Sequence, residues 1–257
     1  DATANLMSYR ALLEAASLAD RLKQPTISSR WRSQASELQT AWQQVFDQHF
    51  AGIDATYTNG IWPSGIAAGN QSRFLQGLET RWQEAHDERG NLRRPPEETN
   101  FNLAEAHQWL LLNRVDRVWS TLKWFWEHQA SPGLYTWWGN HDGENTPASL
   151  SQWYRFRGWV NPPHVTPYYW TAAEMLLLQL DMLAYVDQTT ETPTLVIGAG
   201  IPREWMSQPM NVKGLLVKGN LVNWAWDGKQ MTVQLRGKKM NVKLGESFPK
   251  NALLNSV

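Results

Sequence analysis

Cysteine is absent from this 257-residue chain. That excludes disulfides, thiolate nucleophiles and thiolate metal sites. It leaves the compartment open, cytoplasmic or secreted, because both kinds of bacterial protein can lack cysteine. Charge of either sign is not in excess: 24 basic residues balance 24 acidic ones. A neutral chain has no long-range pull toward nucleic acid or anionic membrane, so neither is expected as a partner. No apolar run approaches the ~18 residues of a spanning helix, so no membrane span is expected. A phosphate-cradling glycine loop, a dinucleotide fingerprint and a nucleophile elbow are all missing, and no cofactor is expected. Asp1 opens the chain without a Met or a signal-like segment, which reads as a processed protein or a piece of a longer one.

Tryptophan, by contrast, is abundant: there are 16. Each buries a large area, so a bulky core is one reading and a stacking cleft is the other. Trp31, Trp42 and Trp82 recur at helical spacing and read as core. Trp137, Trp138, Trp153 and Trp159 do not. They fall in a stretch from Ser131 to Trp170 that has little helical period and that mixes aromatics with Asp142, Glu144, Arg155, Arg157, His141 and His164. A structureless run of that length inside a compact domain usually carries function. Flat aromatic faces beside carboxylates and arginines suit a ring-shaped, hydroxyl-rich ligand.

The first two thirds of the chain read as helices. Leu6, Tyr9, Leu13 and Ala16 share one face, and Trp31, Ala35, Leu38, Trp42, Val45 and Phe46 another. The short link Lys23-Gln24-Pro25 makes these an antiparallel hairpin. Residues 51–69, rich in glycine, read as a loop. Further helices are expected over about 71–88, 102–112 and 115–128, with Asn102 and Glu105 resembling a capping box. A last one begins near Thr166-Pro167 and runs to Val186; being apolar on most sides, it should be central.

After residue 191 the period changes to that of strands. Val222, Trp224 and Trp226 alternate with polar or small residues, as do Met231, Val233 and Leu235, then Met240, Val242 and Leu244. Asp227-Gly228 and Arg236-Gly237 sit at hairpin-turn spacing, and Thr194 to Ile197 and Leu215 to Lys218 add two strands. The expectation is an α+β chain: helical hairpins over 1–191, then a small antiparallel β unit over 192–257.

The tail Thr194-Leu195-Val196-Ile197-Gly198-Ala199-Gly200-Ile201-Pro202-Arg203-Glu204-Trp205-Met206 follows a long apolar helix. Before it stands His164-Val165-Thr166-Pro167-Tyr168-Tyr169-Trp170-Thr171-Ala172-Ala173-Glu174-Met175. In order and local motif, residues from Phe101 onward resemble the C-terminal part of six-hairpin glycosidases, especially relatives of the bacterial α-L-rhamnosidases. The resemblance implies a toroid of α/α hairpins followed by a β-sandwich, and hydrolysis of a glycosidic bond with inversion. The chain has helices for only about half of such a toroid, so the missing half is expected from an absent N-terminal segment or another chain. Relatives tend to carry Trp-Glu before the last toroid helix, whereas here Gly139 follows Trp138.

Glycoside cleavage needs two carboxyls facing each other across the scissile bond. The nearest acids to Trp138 are Asp142 and Glu144, with Glu144 the first choice for a general base and Asp142 the second; a solvated turn is the plainer alternative. Trp62, Trp137, Trp138, Trp159, Tyr168 and Trp170 are candidate stacking residues, and Arg155, Arg157 and His164 candidate partners of sugar hydroxyls. Trp137 and Trp138 are adjacent, so in an extended chain one packs inward and the other faces a ligand. Arg155 and Arg157 equally suit a structural salt bridge. His107 reads as a satisfied core histidine. His141, Asp142 and Glu144 lack a recognisable ligand spacing, and no metal is expected. The rival functions are a carbohydrate-binding or pseudoenzyme module and a structural half-barrel that completes a partner chain.

Overall fold

A computed structural model describes residues 2–48, 59–68, 71–90, 92–93, 99–130, 133–137, 167–187 and 192–256. Among them are six α-helices and seven strands, an α+β architecture as expected. The chain forms two compact units that divide between Pro95 and Pro96. The boundary expected after residue 191 thus lies inside the second unit, because the last three helices cluster with the strands.

The first unit is built on α1 (Ala2–Arg21) and α2 (Pro25–Gln48), which pack against each other. Their turn is a Schellman motif: Lys23 takes positive φ (57°), its N–H donates to Asp20 O and the Gln24 N–H to Ala19 O. Pro25 then opens α2, where its missing N–H leaves nothing unsatisfied. Leu6, Tyr9, Ala16 and Ala19 are buried from α1, and Ala35, Trp42 and Phe46 from α2. Trp42 stacks on Phe46 at 4.7 Å, and Phe46 on Phe74 of α3 (Gln71–Ala85) at 6.1 Å. Trp42 is core as read; Trp31 and Trp82 are half-buried.

In the second unit, α4 (Thr99–Leu111) is the buried helix. Nine of its residues, Thr99 and those from Leu103 to Leu110, are buried. It starts ahead of Asn102, so that residue lies inside the helix and Glu105 is a buried side chain rather than half of a capping box. A second Schellman turn follows: Asn113 has φ 60° and the Arg114 N–H donates to Trp109 O. It returns α5 (Val115–Glu127) along α4. The last helix, α6 (Tyr169–Leu183), ends earlier than expected because residues 184–187 form strand β1. It is also less central. Thr171, Met175, Leu178 and Met182 are buried, while Tyr169, Trp170, Leu176, Leu177 and Leu180 are exposed. The reason is its neighbours: it packs on α4 and β1, which cover one stripe only.

The β strands make two small sheets. One has the order β1 (Ala184–Asp187), β2 (Thr194–Ile197), β6 (Asn241–Leu244). The other is β3 (Met210–Val217), β4 (Asn220–Trp226), β5 (Gln230–Arg236), β7 (Leu253–Ser256). Their inner faces share one apolar core: Leu195 and Ile197 from the first sheet meet Val222, Trp224, Trp226, Met231 and Val233 from the second, with Phe248 between. Asp227-Gly228 is the expected hairpin turn, pairing Trp226 with Met231. Arg236-Gly237 is not. Val242 pairs in parallel with Leu195, so β6 crosses to the other sheet, and β7 crosses back to lie parallel to β5. Gly237 (φ 141°) lets the chain leave, and Asn220 Oδ1 accepts from the Lys238 N–H at 2.7 Å. The sheets are therefore mixed rather than antiparallel.

Helices and strands of this unit are pinned together at Gly198 and Gly200, whose N–H groups donate to Leu183 O and Met182 O. Gly198 has φ 65°, and a Cβ there would stand 2.7 Å from the Phe248 ring. Gly198→Ala is expected to lower the unfolding free energy of this unit by at least about 1–2 kcal/mol from the left-handed backbone alone. Urea denaturation checks this; an unchanged midpoint would contradict the docking.

Candidate functional site

The polar seam between α4 and α6 is the densest chemistry among the described residues. Thr99 Oγ1 meets Thr171 Oγ1 at 2.5 Å. Two turns further along α4, His107 places Nδ1 2.7 Å from Glu174 Oε1 and Nε2 3.0 Å from Asp181 Oδ2. The contacts advance along both helices together, so α4 and α6 run in the same direction. Thr171, Glu174, Met175, Leu178, Asp181 and Met182 follow helical spacing and form one stripe of α6.

The His107 side chain is fully buried, whereas Glu174 and Asp181 keep 17% and 22% of their exposure. Burial favours the neutral ring and lowers the imidazole pKa. The hydrogen bonds and charges of Asp181 and Glu174 outweigh it together, so the pKa is raised above 6.5. In the imidazolium form both ring N–H groups donate, one to each acid. Acidic groups continue beyond Asp181. Burial pushes the Tyr185 phenol up, and Asp187, Asp181 and Glu246 push it further. Asp187 is held by Lys243 Nζ at 2.9 Å, and Glu246 accepts from Asn113 Nδ2 at 3.1 Å.

This arrangement limits the chemistry. Both His107 nitrogens are occupied, so the ring has none to offer a substrate. The two carboxylates grip one imidazole, which fills the gap that a water and a glycosidic oxygen would need. They are held in place; they do not face each other across a cleft. Among the described residues no group of three or more His, Asp or Glu side chains is arranged so that it could hold a metal ion.

The candidates legible in the sequence fall into three sets. Trp138, Asp142, Glu144, Arg155, Arg157, Trp159 and His164 lie outside the described residues. Trp62 is half-buried and belongs to the first unit. Trp137, Tyr168 and Trp170 come together in the second unit. Trp137 is the ring that packs inward: it is buried, its Nε1–H donates to Phe125 O at 2.7 Å, and it meets the Phe125 ring edge-on. A ring so enclosed cannot stack on a ligand, which corrects its assignment as a substrate-binding residue. Its carbonyl accepts from the Tyr168 N–H at 3.1 Å, which joins the described residues on either side of 138–166. Tyr168 lies 5.8 Å from Trp170, and Tyr169 and Trp170 are 74% and 69% exposed beside that junction.

Glu174 and Asp181 went unnoticed as partners of His107. The signal was present: two acids seven positions apart on an otherwise apolar helix, aligned on one stripe. No family model, curated protein or solved structure matches this chain.

Because the folded-state pKa of His107 is raised, the imidazolium contributes fully below the unfolded value, about 6.5. Its contribution is lost as pH rises from there through the folded pKa. Unfolding free energy is expected to fall across that window in the wild type and to stay flatter in His107→Gln. At pH 6 the substitution is expected to cost roughly 3 kcal/mol, the low end for a broken buried pair. Urea melts at stepped pH check both; parallel pH profiles would contradict the clamp.

Proposed function

We propose that this chain is a glycoside hydrolase-like protein whose carbohydrate site lies at the junction of Trp137 and Tyr168. One observation carries the reading. Trp137 and Tyr168, which bracket a segment that mixes tryptophan, arginine and acid, are joined by a backbone hydrogen bond beside the exposed rings of Tyr169 and Trp170. Exposed indoles flanked by acids are what a sugar requires: apolar C–H faces to stack and hydroxyls to accept from.

The helix directions support a toroid of α/α hairpins. In such a toroid every second helix runs the same way, and here α4 and α6 are parallel with α5 returning between them in sequence. The exposed stripe of Leu176, Leu177 and Leu180 suits a further helical wall, from a longer chain or a partner.

In the hydrolytic reading Glu144 is the general base. It takes a proton from a water as the water oxygen bonds to the anomeric carbon. The bond from that carbon to the leaving oxygen breaks, and a second carboxyl protonates that oxygen. The configuration inverts because attack and departure are on opposite faces. Asp142 is the alternative base. Trp138 and Trp159 supply stacking faces, and Arg155, Arg157 and His164 hydrogen bonds to hydroxyls. A non-catalytic binding module is the second reading. It is favoured by Glu174 and Asp181, the acid pair of α6 among the described residues, being committed to His107.

Assay against aryl α- and β-glycosides separates the two. Hydrolysis by the wild type, with turnover at least about 1000-fold lower and binding retained in Glu144→Gln, is the expected result. Undiminished turnover in that variant would move the base elsewhere. Binding without hydrolysis by the wild type would establish the second reading.

A further inference from the structure

We propose that Trp170 and Glu174 form one subsite for a pyranose ring, with His107 as the positioning residue that holds the Glu174 carboxylate in place. The inference rests on the carbohydrate reading above and adds Glu174 and His107 to the site.

Trp170 and Glu174 stand four positions apart on α6 and therefore share a face, one turn apart. Side chains on a helix lean toward its N-terminus, so Glu174 reaches toward the turn that carries Trp170. The Trp170 ring is open, and Tyr168 lies against it at 45°. A sugar stacked on that indole by its C–H face carries hydroxyls around its edge, where a carboxylate one turn away can accept from them. A carboxylate has about four acceptor sites, and His107 takes one oxygen of Glu174 at 2.7 Å. The Glu174 side chain is not fully buried and keeps 17% of its exposure.

Fixing that carboxylate matters. A free glutamate loses rotamer entropy when it is ordered on a ligand. Here the entropy is already lost on folding, because a fully buried imidazole anchors the side chain. Asp181 provides an internal control. It binds the same imidazole at 3.0 Å but stands two turns further along α6, away from Trp170.

Calorimetric titration of the full chain with methyl α- and β-pyranosides of glucose, galactose, mannose and rhamnose tests the proposal. The glycoside that binds tightest to the wild type is carried through the variants. Trp170→Ala and Glu174→Gln are each expected to weaken it about tenfold. His107→Gln is expected to weaken it similarly, and Asp181→Asn by less than about twofold. Thermal melts should show His107→Gln and Asp181→Asn both destabilised, so a loss of affinity in the first alone separates positioning from folding. The ¹⁵N resonance of His107 Nδ1 is also expected to move when sugar is added. Equal loss of affinity in Asp181→Asn and Glu174→Gln would overturn the subsite, as would wild-type affinity in Glu174→Gln. If the wild type binds none of these glycosides, the carbohydrate reading itself fails, and the subsite with it.

Discussion

A buried imidazole between two carboxylates organises the helical part of the second unit. His107 sits on the most enclosed helix of that unit, and a charge there is tolerable only because Glu174 and Asp181 neutralise it at 2.7 and 3.0 Å. The same contacts set the register of α6 on α4. A slide of α6 by one turn would leave at most one acid opposite the ring and break the double clamp. With α6 fixed, its first turn is fixed, and that turn carries Tyr169 and Trp170. The position of the aromatic rim therefore depends on an interaction one to three turns away from it.

The other end of α6 is held as firmly. Gly198 and Gly200 bond the last turn of α6, and the Trp119 Nε1–H of α5 donates to Gly200 O at 2.8 Å. Around that point Trp119 contacts Trp126 and Trp205 edge-on. The small β unit thus does not hang from the helices by a linker. It packs on their ends, while its own core, shared by two mixed sheets, supplies the apolar burial that short strands need.

Much of this was legible in the sequence because it follows local rules. Period-2 alternation placed Val222, Trp224, Trp226, Met231 and Val233 inward, and Asp227-Gly228 announced its hairpin. The helices α1 and α2 followed from the spacing of Leu6, Ala16, Ala35 and Trp42, and their hairpin from the short link Lys23-Gln24-Pro25. What local rules cannot carry is pairing across distance. Nothing near Val242 says that it will join Leu195 rather than return on β5. Residues 184–187 look helical because they continue an apolar run, and it is their pairing with β2 that makes them a strand. For the site, His107 was correctly read as satisfied, but its partners lie 67 and 74 positions away. Of the adjacent indoles Trp137 and Trp138, alternation said that one would pack inward without saying which.

His107 is a doubly protonated clamp below its raised pKa. Nitrogen NMR of the imidazole tests this directly, since the two ring ¹⁵N shifts distinguish imidazolium from either neutral tautomer. At pH 6 both Nδ1 and Nε2 are expected at protonated shifts, with a titration midpoint above 6.5. A neutral tautomer at pH 6, with one ring nitrogen unprotonated, would contradict it.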